Sequence, residues 1–122
     1  MYEYRLKINR VIDGDTVDAT IDCGFNIFVN KRIRLSHIDA PETRTRDMVE
    51  KTKGKAAKKR LQELLDENTN NLVVQTQLDK SGKFGRVLGG ILAKYQDSEF
   101  QGRYLNINQQ LLTEGLVKIY GK

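Results

Sequence analysis

Apolar and polar residues alternate through most of the first third of the chain, and this period of two constrains the fold more than any other feature. Tyr2, Tyr4, Leu6 and Ile8 alternate with Glu3, Arg5, Lys7 and Asn9. Val17, Ala19, Ile21 and Cys23 alternate with Asp18, Thr20 and Asp22. Ile27, Val29, Ile33 and Leu35 mark a third segment running into Asp39. Alternate side chains of an extended chain point to opposite faces, so each segment reads as a strand with one buried face. The phase breaks at Val11-Ile12, where the first strand is expected to stop, and Asp13-Gly14-Asp15 supplies a turn. Gly24 ends the second strand, and Pro41, the only proline, stands where the third should stop. Cys23, in a strand-like run, is expected as a small core residue.

The stretch 43–54 is polar and highly charged and reads as an exposed loop. A helix is expected over roughly 54–67, because Ala57, Leu61, Leu64 and Leu65 fall on one face and Lys58, Lys59 and Glu63 on the other. Leu72, Val74, Thr76 and Leu78 suggest a fourth strand, a glycine-rich turn covers 79–85, and a fifth strand follows at about 86–95. Asn106 suits the N-cap of a short helix and Gly115 its C-terminal stop; Leu116 to Tyr120 closes the chain as an extended segment. Three strands, a helix, two strands and a helix give a mainly β fold. The order matches the OB-fold, a five-stranded barrel with a helix after strand 3, here with a short helix near the C-terminus.

At 122 residues the chain is expected to form one domain over 1–122. Its formal charge of +5 suits an anionic partner without saying which. A single cysteine excludes an internal disulfide, and a single histidine, His37, excludes a zinc site with two histidine ligands. His37 is expected to pack structurally rather than act as a base. No apolar run reaches the length of a membrane span, and Met1-Tyr2-Glu3-Tyr4 does not open a signal peptide. A cytoplasmic protein is therefore expected, with a secreted mature form as the alternative.

The chemistry-bearing residues cluster at the turns. Asp15 and Asp39 each lie at the edge of a strand, and carboxylates hold hard cations through oxygen. Asp13 fits a turn-forming role, bonding the backbone N–H groups of its own turn. Glu42, stiffened by Pro41, adds a third carboxylate that can orient or deprotonate a water. Arg34 and Arg86 are candidate phosphate ligands, since a guanidinium donates two parallel hydrogen bonds to an anion. Gly82 and Gly85 before Arg86 would permit close approach. Parity along one continuous strand places Arg34 and His37 on opposite faces.

Taken together, Ile12-Asp13-Gly14-Asp15-Thr16-Val17, Arg34 through Asp39-Ala40-Pro41-Glu42-Thr43, and Asp79-Lys80 through Gly85-Arg86 make the chain resemble the staphylococcal nuclease family. Asn106 and Gly115-Leu116-Val117-Lys118 resemble that family's short helix and its exit. The resemblance implies an OB-type barrel. It implies a Ca²⁺ site made of the Asp15 and Asp39 side chains and the Ala40 carbonyl, although a familiar member has threonine in place of Ala40. It also implies Glu42 as general base and Arg34 and Arg86 as ligands of the scissile phosphate. The implied reaction is hydrolysis of DNA or RNA at the P–O5′ bond, leaving 3′-phosphate ends. A single-stranded or frayed substrate and a monomeric protein are expected. Phe84 departs from the family by lacking a tyrosine hydroxyl, Tyr120 is at best the one counterpart of its nucleotide-flanking tyrosines, and the sequence stops short of its third helix. The rival readings are a non-catalytic OB-fold module that binds single strands by charge and stacking, and a small interaction protein whose carboxylates are ordinary turn residues.

Overall fold

The computed structural model describes residues 2–77, 86–95 and 102–120, with Arg86 described by its backbone alone. Leu78, the glycine-rich turn at 79–85 and Phe84 lie outside the described residues.

Strand β1 (Tyr2–Asp13) pairs antiparallel with β2 (Thr16–Asp22), and β2 with β3 (Phe28–Leu35). After a two-residue strand β4 (Ile38–Asp39) come helix α1 (Met48–Glu67), β5 (Leu72–Gln77) and β6 (Arg86–Lys94). Strand β7 (Tyr104–Asn106), helix α2 (Ile107–Thr113) and β8 (Lys118–Ile119) complete the order. Strand β5 pairs with both β1 and β6, and a parallel ladder from β3 to β6 closes a five-stranded barrel. Mainly β, with a helix after the third barrel strand and another near the C-terminus, the fold is that of an OB barrel.

The alternating residues fill its interior: Leu6, Val17, Ala19, Ile21, Ile33 and Leu35 are buried. The phase break at Val11-Ile12 is not a strand end. Strand β1 continues to Asp13 through irregularities between Ile8 and Arg10 and between Val11 and Asp13. An extra residue resets the inward parity from Leu6 to Val11 and bends the strand, as closure of a small barrel requires.

Ala57, Leu61, Leu64 and Leu65 of α1 are buried as expected. The helix begins six residues early, however, at Met48. Asp47 caps it, accepting from the N–H groups of Val49 and Glu50 at 3.0 and 3.3 Å. Met48 and Val49 are exposed, so this first turn forms without an apolar stripe to announce it. The loop expected at 43–54 is therefore confined to its first half.

Two further expectations fail. Strand β2 stops at Asp22, which leaves Cys23 exposed rather than in the core. The third strand does not run into Asp39: it breaks at Ser36-His37, with His37 in the left-handed region at φ 67 and exposed. That turn also voids the parity argument linking Arg34 and His37. Asn106 does cap α2, accepting from Gln109 N–H at 3.1 Å, and Gly115 takes a left-handed φ of 75 just beyond it. Among the described residues no helix is long and apolar enough to cross a membrane.

Candidate active site

The β1–β2 turn brings Asp15 to the edge of the barrel, and the 36–37 turn brings Asp39. The latter turn is pinned from beneath by Asn108 of α2. This buried amide accepts from Ile91 N–H at 3.1 Å and donates to the Ser36 carbonyl at 3.0 Å. Strand β8 holds the far side, pairing Lys118 with Asp39, while Tyr120 N–H donates to the His37 carbonyl at 3.0 Å.

Arg34 sits at the centre. Its Nη1 donates to the carbonyls of Leu35 and Ile38 at 2.9 and 2.8 Å, clamping the turn. Its Nη2 lies 3.4 Å from Asp15 Oδ2 and 3.3 Å from Asp39 Oδ1. The guanidinium carbon is 5.4 Å from the centre of the Tyr120 ring, within cation–π range. One nitrogen thus touches both carboxylates, so residues 24 positions apart in the chain converge on one point.

Asp15 is almost fully buried, at 7% exposure. A buried carboxylate is tolerable only when paired. Here Oδ2 accepts from Ala40 N–H at 2.8 Å, Oδ1 accepts from the Thr16 hydroxyl at 2.8 Å, and Arg34 supplies the opposite charge. Asp13 does not bond within its own turn. Its Oδ1 accepts from the Thr43 hydroxyl at 2.7 Å and so ties the turn to the segment after Glu42.

Two glycines allow α1 to seat that segment. A Cβ on Gly14 would stand 2.7 Å from Ala57 Cβ and 3.0 Å from Ala40 Cβ. A Cβ on Gly54 would stand 2.6 Å from the Glu42 carbonyl oxygen and 2.8 Å from that of Pro41. Gly54 therefore marks a backbone contact inside the helix rather than the helix start. One turn earlier, Glu50 Oε2 accepts from Glu42 N–H at 3.1 Å. The Glu42 side chain itself is exposed, beside a cavity of about 500 Å³ that Asp39, Glu50, Lys53 and Lys118 also line.

Arg86 opens β6. The parallel ladder pairs it with Arg32 and pairs Leu88 with Arg34, so Arg86 starts on the strand adjacent to Arg34, two positions away. Its side chain lies outside the described residues.

Among the described residues no group of three or more His, Cys, Asp or Glu side chains gathers as a metal cluster. The donor set at Asp15 and Asp39 is instead two carboxylates aimed at one positive centre. Hard oxygen donors of this kind fit calcium, which completes its shell with carbonyls and water.

Sequence reasoning missed Glu50 and Asn108 as parts of the site's framework. Glu50 lay in the supposed loop. Asn108 carries no local signal in the sequence, and only its burial betrays it. Tyr120 was linked to the site only through the family resemblance.

The chain matches the family model described as staphylococcal nuclease homologue over residues 32–122. The match includes Arg34, Asp39, Ala40, Glu42 and Arg86; Asp15 precedes it. No individual curated protein matches the chain.

Proposed function

The chain belongs to the staphylococcal nuclease family, and on that premise we propose that it is a calcium-dependent nuclease hydrolysing DNA or RNA at the P–O5′ bond. The observation that carries this reading is the single Arg34 nitrogen lying between the Asp15 and Asp39 carboxylates. Opposite charges held together at a barrel edge provide one place for a cation and an adjacent donor for phosphate.

Asp15, Asp39 and the Ala40 carbonyl would hold Ca²⁺. When bound there, the ion supplies positive charge beside the phosphate and favours an attacking hydroxide. Glu42 takes the proton from the attacking water. Arg34 and Arg86 donate hydrogen bonds to the phosphoryl oxygens, whose charge grows as the water adds. The P–O5′ bond then breaks, and the departing O5′ oxygen takes a proton from solvent, leaving a 3′-phosphate and a free 5′-hydroxyl. The orientation of Arg34, fixed before substrate arrives by two carbonyls, supports it in this role; its second nitrogen would exchange the carboxylates for the phosphate as the cation takes them. A preset donor loses little entropy on binding. Single-stranded or frayed substrate suits the shallow edge of a barrel, where one backbone can approach without a second strand.

The test is plasmid nicking with Ca²⁺ and with EDTA, repeated on Glu42→Gln. Nicking should require Ca²⁺, and the variant should turn over about 10² to 10⁴ times more slowly at nearly unchanged KM. Binding of single strands without nicking at any Ca²⁺ concentration would favour a non-catalytic module instead.

A further inference from the structure

The hairpin between β2 and β3 ends in an unusual tip. Cys23 N–H donates to the Ile27 carbonyl at 2.8 Å and Ile27 N–H to the Gly24 carbonyl at 2.9 Å, which closes a two-residue turn on Phe25 and Asn26. Both central residues are left-handed, with φ of 56 and 59. Such turns favour Asn-Gly, because a side chain in the left-handed region crowds the backbone. A phenylalanine there is strained. Packing does not compensate: Phe25 is 98% exposed, and Ile27 and Phe28 beside it are 55% and 58% exposed. Strain held without a packing reason points to function.

Strand β3 connects this tip to the candidate site. Ile33 and Leu35 face the core, so Phe28, Asn30, Arg32 and Arg34 share the other face. At about 3.3 Å per residue, that row spans about 20 Å. Across the sheet, Lys7 pairs with Thr20, and Thr20 with Asn30. Arg10 pairs with Asp18, and Asp18 with Arg32. Arg5 pairs with Asp22, and Asp22 with Phe28. The β1 row of this face is therefore basic, with Asp18 and Asp22 of β2 between it and β3; β3 itself carries Arg32, has the candidate phosphate ligand Arg34 at one end and leads to the exposed phenylalanines at the other. Single-strand binders combine these parts: a cationic path for the backbone and aromatic rings on which bases stack.

We infer that the outer face of β3, from Arg34 to the 25–28 tip, carries the single strand flanking the scissile phosphate, with Phe25 and Phe28 stacking its bases. The location of that phosphate rests on the nuclease reading above. Arg32 is the intermediate backbone contact. It pairs with Asp18 at 2.8 Å and is half exposed, and a surface pair of this kind is weak enough to exchange its partner for a phosphate. A duplex is disfavoured because its bases are already stacked and its second backbone would meet the tip.

The experiment is fluorescence anisotropy in EDTA with labelled strands of about three and about ten nucleotides, long enough to test one end or the whole row. The variant Phe25→Gly with Phe28→Ala should weaken the longer strand about tenfold more than the shorter. Phe25→Gly alone should raise Tm, since glycine relieves the left-handed strain, while still weakening the longer strand. Lys59→Ala, on the exposed face of α1, is the control and should leave the ratio unchanged. Equal weakening of both lengths, or none, overturns the inference. So does concentration-dependent self-association by sedimentation that the same variant abolishes, which would make the tip an interface between copies. Length-dependent binding lost in the variant supports the track even if the wild type cleaves nothing, a result that would remove the catalytic reading alone.

Discussion

Gly54→Ala sets two effects of opposite sign against each other. Helix propensity alone predicts a gain of about 1 kcal/mol, because Gly54 lies inside α1. Packing predicts the reverse. The new Cβ would lie 2.6 Å from the Glu42 carbonyl oxygen and 2.8 Å from both the Glu42 carbonyl carbon and the Pro41 carbonyl oxygen. All three are backbone atoms, so no side chain can rotate away, and either the helix or the Pro41-Glu42 segment must shift. Overpacking of this kind costs about 1–3 kcal/mol. The net result is a loss of about 1 kcal/mol, or about 4 °C in Tm. The larger effect falls on activity. A displacement approaching 1 Å at Glu42, the proposed general base, can cost about 10²-fold in turnover. Thermal denaturation and calcium-dependent nicking measure the two effects. Amide exchange at Glu42, whose N–H donates to Glu50, reports the displacement without relying on activity. Lys55→Gly, on the exposed side of the same helix, should lose about 1 kcal/mol through propensity with turnover intact. If Gly54→Ala gains the full propensity increment and keeps its turnover, Gly54 is an ordinary helical glycine and the reasoning fails.

Asp15→Ala and Asp39→Ala should each abolish the calcium-induced rise in Tm along with cleavage, because a site with two carboxylates cannot lose one and still hold the ion well; a calcium shift equal to wild type in either variant refutes the metal assignment. Glu50→Ala should lower kcat about tenfold at unchanged KM by freeing the Glu42 backbone, whereas Glu50→Gln, which keeps an oxygen acceptor, should restore it. Steady-state kinetics on the pair separates lost positioning from lost charge. Arg60 holds the Glu114 carboxyl below its ordinary 4.5, Lys94 does the same for Glu3, and Arg32 holds Asp18 below 3.8. Each pair stabilises the fold fully above the unfolded value and is lost as pH falls through the lowered one. Stability should therefore decline below about pH 4.5. The decline should be modest because the pairs are solvent-facing, and urea midpoints for Glu114→Gln should show a shallower acid limb than wild type.

How much of this was legible in the chain depended on how local each determinant is. Alternation at Leu6, Val17, Ala19, Ile21, Ile33 and Leu35 is a local pattern, and it located the barrel strands. Asn106 and Gly115 act on their own helix, and the sequence identified both. The apolar stripe Ala57, Leu61, Leu64 and Leu65 revealed the second half of α1. The first turn, capped by Asp47 with Met48 and Val49 in solvent, carries no stripe, so its polar sequence reads as loop. Cys23 and His37 were misplaced because single residues at strand ends take their environment from where the strand stops, and turn geometry decides that.

By itself the sequence determined which segments extend, which coil, and which residue types could bind a cation or a phosphate, because each depends on neighbours within a few positions. Only the tertiary structure decided that Asp15 and Asp39 meet on one Arg34 nitrogen, that Asn108 holds up the turn beneath them, and that Gly54 and Glu50 seat Glu42 on α1. Those contacts follow from closure of the barrel by the parallel β3–β6 ladder and from the docking of both helices against it. Closure is a long-range event whose register is set by the sum of many buried side chains, and no short stretch of sequence carries that sum.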